Sequence, residues 1–296
     1  MATDAPVFSL RRLWIGSKIH GMTETRLAFA VRETGPLHLE FYRAESAENA
    51  PCLLVLHTGG WENGTPAEFQ TLNRYLARRG VAVAAMEYRL APRWTWPAQR
   101  EDVIDAIQFL KEHAGELGLD GERFVLMGRS AGGQIAEAVA YGDPELHVCG
   151  SIGFYCPADL LFAFQYADKD DILNSYKLLT QYLGGTPEEK PDNYHGASGI
   201  LHVNARSVPT LLVHGCRDEL VWFRQSARLA ERLSANGVPH LLLDLPWATH
   251  ACDHNFDGPS GQIVTWVVER FLNYVLTERG PFAEVAETGA EMRGSY

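Results

Sequence analysis

The chain has 296 residues, of which 46% are hydrophobic and 21% charged, an ordinary balance for a globular protein with a sizeable core. Its formal net charge of −11 excludes a nucleic-acid groove and argues against an anionic membrane surface, because both need clustered Lys and Arg. No apolar run reaches membrane-spanning length, and residues 1–21 lack the apolar core of a signal peptide. The five cysteines are irregularly spaced and do not read as a disulfide framework, so the cytoplasm is the expected compartment.

Residues 1–22 carry no periodic signal and read as a surface arm. The runs at 26–32 (RLAFAVR) and 37–43 (LHLEFYR), joined by Glu33-Thr34-Gly35-Pro36, predict an antiparallel hairpin at a sheet edge. The continuous apolar run at 51–57 (PCLLVLH) predicts a strand buried on both faces. From there strands and helices alternate. A helix is predicted over 66–79, with Phe69, Leu72 and Leu76 on one face and Pro at its start, then a strand over 81–86. A helix over 97–113 carries a Val103, Ile107, Leu110 stripe, and a short strand follows at 124–127. Further strands are predicted at 147–154, 209–214 and 240–245, and helices at 221–236 and 261–276. Such alternation implies an α/β fold with a mostly parallel central sheet and helices on both faces.

One stretch breaks the rhythm. Residues 157–207 are too long for a simple crossover and hold one helix-like run at 171–182, then a polar loop running to Asn193. They read as a small cap or lid over the carboxyl edge of the sheet, within a single domain spanning 1–296. The tail after Glu278 is polar and without strong periodicity.

The chemistry centres on Gly128-Arg129-Ser130-Ala131-Gly132, which fits G-x-S-x-G between an apolar strand and a helix. A serine on so sharp a turn brings the strand and helix backbones together, so the positions two residues either side must be small. The helix starting there aims its amide dipoles at any anion that forms. A serine is a weak nucleophile that needs a base, and the base needs an orienting carboxylate. After the strand at 209–213 comes His214-Gly215-Cys216-Arg217-Asp218-Glu219, and after the strand at 240–245 comes Pro246-Trp247-Ala248-Thr249-His250. Both loops leave the edge that carries Ser130, so Ser130, Asp218 and His250 fall in the order that nucleophile, acid and base take in this fold class. Glu219 and His254 are the neighbouring competitors, and His214 is expected to hold the turn that presents Asp218. A metal reading of His250-Ala251-Cys252-Asp253-His254 lacks a second ligand pair elsewhere in the chain, so no metal is expected. Oxyanion donors are expected from the Ala131 amide and from Gly59 and Gly60 in the loop His57-Thr58-Gly59-Gly60-Trp61.

These motifs together resemble an α/β-hydrolase of the esterase/lipase type, close to the hormone-sensitive-lipase-like and bacterial feruloyl-esterase-like carboxylesterases. His57-Thr58-Gly59-Gly60-Trp61 is similar to the family's H-G-G-G-W, and Tyr88-Arg89-Leu90-Ala91-Pro92 to its Y-R-L-A-P. The resemblance implies the α/β-hydrolase fold over residues 37–275, a triad of Ser130, Asp218 and His250, and an oxyanion hole of Gly59, Gly60 and Ala131. Two positions depart from the family: Thr58 replaces its first glycine, and Ala251 follows His250 where glycine is frequent.

The leading expectation is therefore a serine carboxylesterase acting on small or medium esters, acetyl or aryl among them, through an acyl-enzyme and without a cofactor. Trp61, Tyr155, Trp222 and Trp247 are expected to line its substrate pocket. An arylformamidase-like amidase and a non-catalytic ligand-binding member of the fold are the alternatives. The expected partner is a small-molecule ester, with no nucleic acid and no membrane span; a homodimer stays open.

Overall fold

The computed structural model describes residues 24–45, 48–172 and 174–277; the expected N-terminal arm and C-terminal tail lie outside the described residues. Two strands come first, β1 (Thr25–Arg32) and β2 (Gly35–Tyr42), then β3 (Ala50–Leu56). Helix α1 (Gln70–Arg78), β4 (Ala82–Met86), α2 (Ala98–Glu112) and the single turn α3 (Ala114–Leu117) lead to β5 (Leu119–Arg129) and α4 (Ala131–Gly142). After β6 (Gly150–Phe154) the chain makes four short helices: α5 (Leu160–Gln165), α6 (Ser175–Leu183), α7 (Pro191–Ala197) and α8 (Gly199–His202). It then closes with β7 (Thr210–Gly215), α9 (Arg224–Ala235), β8 (His240–Leu245) and α10 (Pro259–Leu276).

The eight strands form one sheet in the order β1-β2-β4-β3-β5-β6-β7-β8. The hairpin β1–β2 and the β2–β4 pair are antiparallel, and every other pair is parallel. The sheet separates two apolar cores, which explains the unbroken apolar runs of β3 and β4. In β3, Leu53 and Val55 face the layer that holds Leu72 and Leu76 of α1 and Val268 and Phe271 of α10. The alternate residues Cys52, Leu54 and Leu56 face the layer that holds Val103 and Ile107 of α2, Ile135 and Val139 of α4, and Leu229 of α9. With a pleat of period two, a strand covered on both sides cannot alternate apolar with polar.

Several elements differ from the sequence expectation. Helix α1 begins at Gln70 rather than at 66, because Phe69 takes a left-handed conformation (φ 58°) that turns the chain before the first helical residue. Strand β5 starts at Leu119, well before the apolar run, because Leu119 pairs with Ala50 of β3. The polar loop expected before Asn193 runs into α7, which begins at Pro191, and α5 occupies another stretch with no helical signal. Both are short. Helices of one or two turns are marginal on propensity and exist through caps and tertiary contacts. Asp159 caps α5 by accepting from the Phe162 amide at 2.9 Å, and Tyr194 and Ala197 of α7 are buried in the core that contains α4.

Candidate active site

Ser130 occupies the junction of β5 and α4 with φ 50° and ψ −119°, a strained conformation for an L-residue. Its amide donates to the Phe154 carbonyl at 2.9 Å, and its own carbonyl accepts from Gln134 at 3.0 Å, so the turn is held from both sides. A Cβ on Gly128 would collide with the Gly132 carbonyl, and one on Gly132 with the backbone of His57. The two glycines therefore permit the close approach that the motif requires.

The three side chains singled out on spacing come together here. The Ser130 hydroxyl donates to His250 Nε2 at 3.1 Å, and His250 Nδ1 donates to Asp218 Oδ2 at 2.7 Å. The carboxylate partner identifies Nδ1 as the protonated nitrogen and leaves Nε2 as the acceptor. The other oxygen, Asp218 Oδ1, accepts from the amides of Leu220 and Val221, each at 2.9 Å. Burial works against the Asp218 charge, but the hydrogen bonds from His214, His250 and Val221 outweigh it and hold the carboxyl well below the usual range. His214 is fully buried between Ser226 Oγ (2.7 Å), the Val221 carbonyl (2.9 Å) and Asp218 (3.3 Å), so it braces the acid loop. The competitors stand apart: Glu219 is exposed, and the exposed His254 sets its ring edge-on to Phe69.

The loop after β3 approaches Ser130 from the other side. Gly59 and Gly60 both have positive φ (113° and 59°), and among the described residues no hydrogen bond takes either amide. A Cβ on Gly59 would collide with the Asn63 carbonyl, which accepts no substitute there. The loop is pinned by His57, which is buried, stacked on Tyr88 at 4.1 Å, and held by the Tyr88 hydroxyl donating to its carbonyl at 3.0 Å. Burial pushes the His57 imidazole down from its ordinary pKa, so it is a neutral structural group. The Thr58 hydroxyl donates to Glu68 at 2.9 Å, so its side chain is tied into the turn before α1.

The aromatic residues expected in the pocket divide into two pairs. Trp61 and Tyr155 are buried in the core; Trp61 stacks on Tyr182 of α6 at 4.3 Å and donates to Gln134 of α4 at 2.8 Å. Tyr155 sets its ring 4.5 Å from the His250 ring. Trp222 and Trp247 are 44% and 52% exposed; the Trp222 ring lies 4.9 Å from that of Tyr166, just after α5, and Trp247 donates to Ser260. Sequence reasoning missed Leu178 of α6. Its side chain lies 3.3 Å from where a Cβ on Gly60 would sit, over the loop that follows β3. Nothing in the local pattern marks it, because its contact is with a loop more than a hundred positions away in the chain.

The proposed metal run also resolves into other contacts. Asp253 is buried and spends one oxygen on Arg129 and the other on Tyr155. All five cysteines are free. Among the described residues no helix is long and apolar enough to cross a membrane.

Comparison with known proteins bears on the family and the fold. The BD-FAE family model matches residues 39–233. Among curated relatives, the esterase LipC of Mycobacterium tuberculosis is 28% identical over 247 residues, covering 79% of this chain and 61% of that protein. The probable carboxylic ester hydrolase LipM of the same organism is 26% identical, covering 73% of this chain and 53% of its own length. The ethyl acetate hydrolase of Pseudomonas putida is 37% identical over 118 residues, 38% of this chain and 37% of that one. The chain thus spans between half and two thirds of the length of the two mycobacterial relatives. Among solved structures, an esterase from Thermogutta terrifontis superposes with a TM-score of 0.70 at 23% identity, covering 86% of this chain and 92% of that one. An acetyl ester-xyloside bifunctional hydrolase from Caldicellulosiruptor lactoaceticus gives 0.72 at 21%, covering 84% and 96%. The fold is that of the α/β-hydrolases, and the chain belongs to the BD-FAE family within their esterase/lipase group.

Proposed function

We propose that the protein is a serine carboxylesterase that hydrolyses small to medium carboxylic esters through an acyl-enzyme. The observation that carries this reading is the unbroken relay from Ser130 Oγ through His250 to Asp218. Ser130 attacks the ester carbonyl as His250 Nε2 takes its proton, and Asp218 holds the imidazole in that tautomer and stabilises the imidazolium. The tetrahedral oxyanion forms against the amides of Gly59, Gly60 and Ala131, at the N-terminus of α4, where the helix dipole adds to them. His250 then returns the proton to the leaving alcohol, and a water attacks the acyl-enzyme by the same route.

The segment 157–207 acts as the cap of this site. Leu178 over Gly60 leaves little depth on the oxyanion side, which favours short acyl groups. The relative named ethyl acetate hydrolase supports the same end of the range. The test is a series of p-nitrophenyl esters of increasing acyl length, assayed beside an aryl formamide, with fluorophosphonate labelling of wild type and Ser130→Ala. Turnover that is best on acetate to butyrate, with labelling lost in Ser130→Ala, is the expected outcome. Preference for the formamide makes it an amidase, and absence of labelling in the wild type overturns the serine mechanism.

A further inference from the structure

One buried charge pair lies beside the relay and takes no part in it. Arg129, the residue before Ser130, is 1% exposed, although it carries a full positive charge at any physiological pH. Its Nε donates to Asp253 Oδ2 at 2.6 Å, and its guanidinium lies between the Phe69 ring (3.9 Å) and the Phe154 ring (4.6 Å). The second oxygen of Asp253 accepts from the Tyr155 hydroxyl at 2.8 Å. Tyr155 itself has φ 42° and is fixed to β7 by its amide, which donates to the Val213 carbonyl at 2.7 Å.

Each member of the group flanks a residue of the relay. Arg129 adjoins Ser130 in the chain, Asp253 lies three residues after His250, and the Tyr155 ring stands edge-on to the His250 ring at 4.5 Å. Apart from the bond of His250 itself to Asp218, this is the buried ionic tie of the His250 loop among the described residues; the neighbouring Ala251 has φ 56°, and His254 is exposed. Stability alone does not account for such a pair. Removing two charges from water usually costs as much as their attraction returns, and an apolar pair of the same volume is often as stable or more so. Here Arg129 Nη2 is also buried without a hydrogen-bond partner among the described residues, a further cost to the fold. What the pair supplies is register. It joins the strand end that presents the serine to the loop that presents the histidine, at fixed length and direction.

We propose that Arg129, Asp253 and Tyr155 form a positioning network that locks the His250 loop, so that the imidazole keeps hydrogen-bond distance to Ser130. These residues act through Ser130 and His250, Tyr155 by its contact with the His250 ring, and the inference rests on Ser130 and His250 being nucleophile and base. A misplacement of about 1 Å at such a site costs on the order of 10²-fold in rate. The network therefore acts on kcat and leaves KM alone.

The full chain is assayed with p-nitrophenyl acetate in four variants, with Tm measured for each. Tyr155→Phe removes one hydroxyl and keeps the ring; kcat is expected to fall about tenfold and Asp253→Asn to fall about 10²-fold, both with KM near the wild-type value. The double variant Arg129→Met/Asp253→Leu replaces the pair with apolar side chains; it is expected to keep a Tm near wild type and still show a kcat about 10²-fold low. Wild-type kcat in Tyr155→Phe and in the folded double variant, or a kcat loss that simply follows Tm, overturns the proposal. Ser130→Ala separates the two levels: if it is inactive while the other variants turn over normally, only the positioning role fails. If Ser130→Ala keeps turnover, the serine mechanism and the positioning role fail together.

Discussion

Asp218 shows how a carboxylate survives in a buried site. Desolvation alone raises its pKa, yet two histidines and two backbone amides reverse the direction, so the group stays charged where its charge orients His250. Asp218→Asn keeps the volume but reverses the donor and acceptor pattern toward Nδ1. Its kcat is expected to fall on the order of 10⁴-fold with little change in KM, read from steady-state ester hydrolysis. Ala251 carries the opposite kind of signature. It holds φ 56° one residue past His250, where an L side chain is strained. Ala251→Gly is expected to stabilise the protein by roughly 0.5–1 kcal/mol in denaturant unfolding, since glycine adopts this conformation without the Cβ penalty. Positive φ at Trp61, Phe69, Ser130, Tyr155 and Ala251 places much of the strained non-glycine backbone around one site, the usual locus of such strain.

At the scale of elements, α4 is the axis of the molecule. Residues 131–141 are buried on every side, between β5 and β6 on one flank and α7 and α8 on the other. This helix carries the fully buried Glu137, whose carboxyl lies beside the Cys156 thiol and whose pKa burial pushes up to about 8. Between the ordinary value of 4.5 and that raised value, the folded protein holds a proton that the unfolded chain has released. Stability therefore falls as pH rises through this window, by up to about 1.4 kcal/mol per pH unit. Glu137→Gln is expected to flatten the fall of Tm between pH 5 and 8 that the wild type should show, a difference that thermal scans at several pH values read directly. Helix α6 contributes in another way, because it reaches the oxyanion loop through Leu178. Leu178→Ala is expected to shift the preferred acyl chain longer by about two carbons, as the removed branch opens about two to three methylene volumes; Leu178→Phe is expected to restrict turnover to acetate. Chain-length profiles of kcat/KM check both.

For the molecule as a whole, two buried carboxyls make stability depend on pH in opposite senses. The contribution of Asp218 is complete above its ordinary value of 3.8 and is lost as pH falls toward its depressed native value. That of Glu137 is complete below 4.5 and is lost as pH rises through about 8. These two groups together place the stability maximum between their ordinary values of 3.8 and 4.5, and loss of Tm on both sides of that range is the expected thermal profile. The sheet is what allows this arrangement. Parallel strands β3, β5, β6, β7 and β8 release their loops at the same edge, so five separate segments of the chain meet there.

The amino-acid sequence by itself determined the strands and their alternation, because burial on both faces leaves an apolar run that needs no context to be read. It also determined which serine, acid and histidine would leave one edge, since G-x-S-x-G and the two later loops carry their residues at strand ends. Only the tertiary structure decided how the rest is used. Short helices such as α5 and α7 have too few residues to show a period, and they exist through contacts supplied from elsewhere. Trp61 and Tyr155 are buried whereas Trp222 and Trp247 are exposed, a division that residue type does not reveal, and Leu178 lies over Gly60 where no pattern marks it. Arg129 was the unread letter inside the motif: that its charge ends on Asp253 depends on two segments 124 residues apart in the chain meeting in space, which no local pattern encodes.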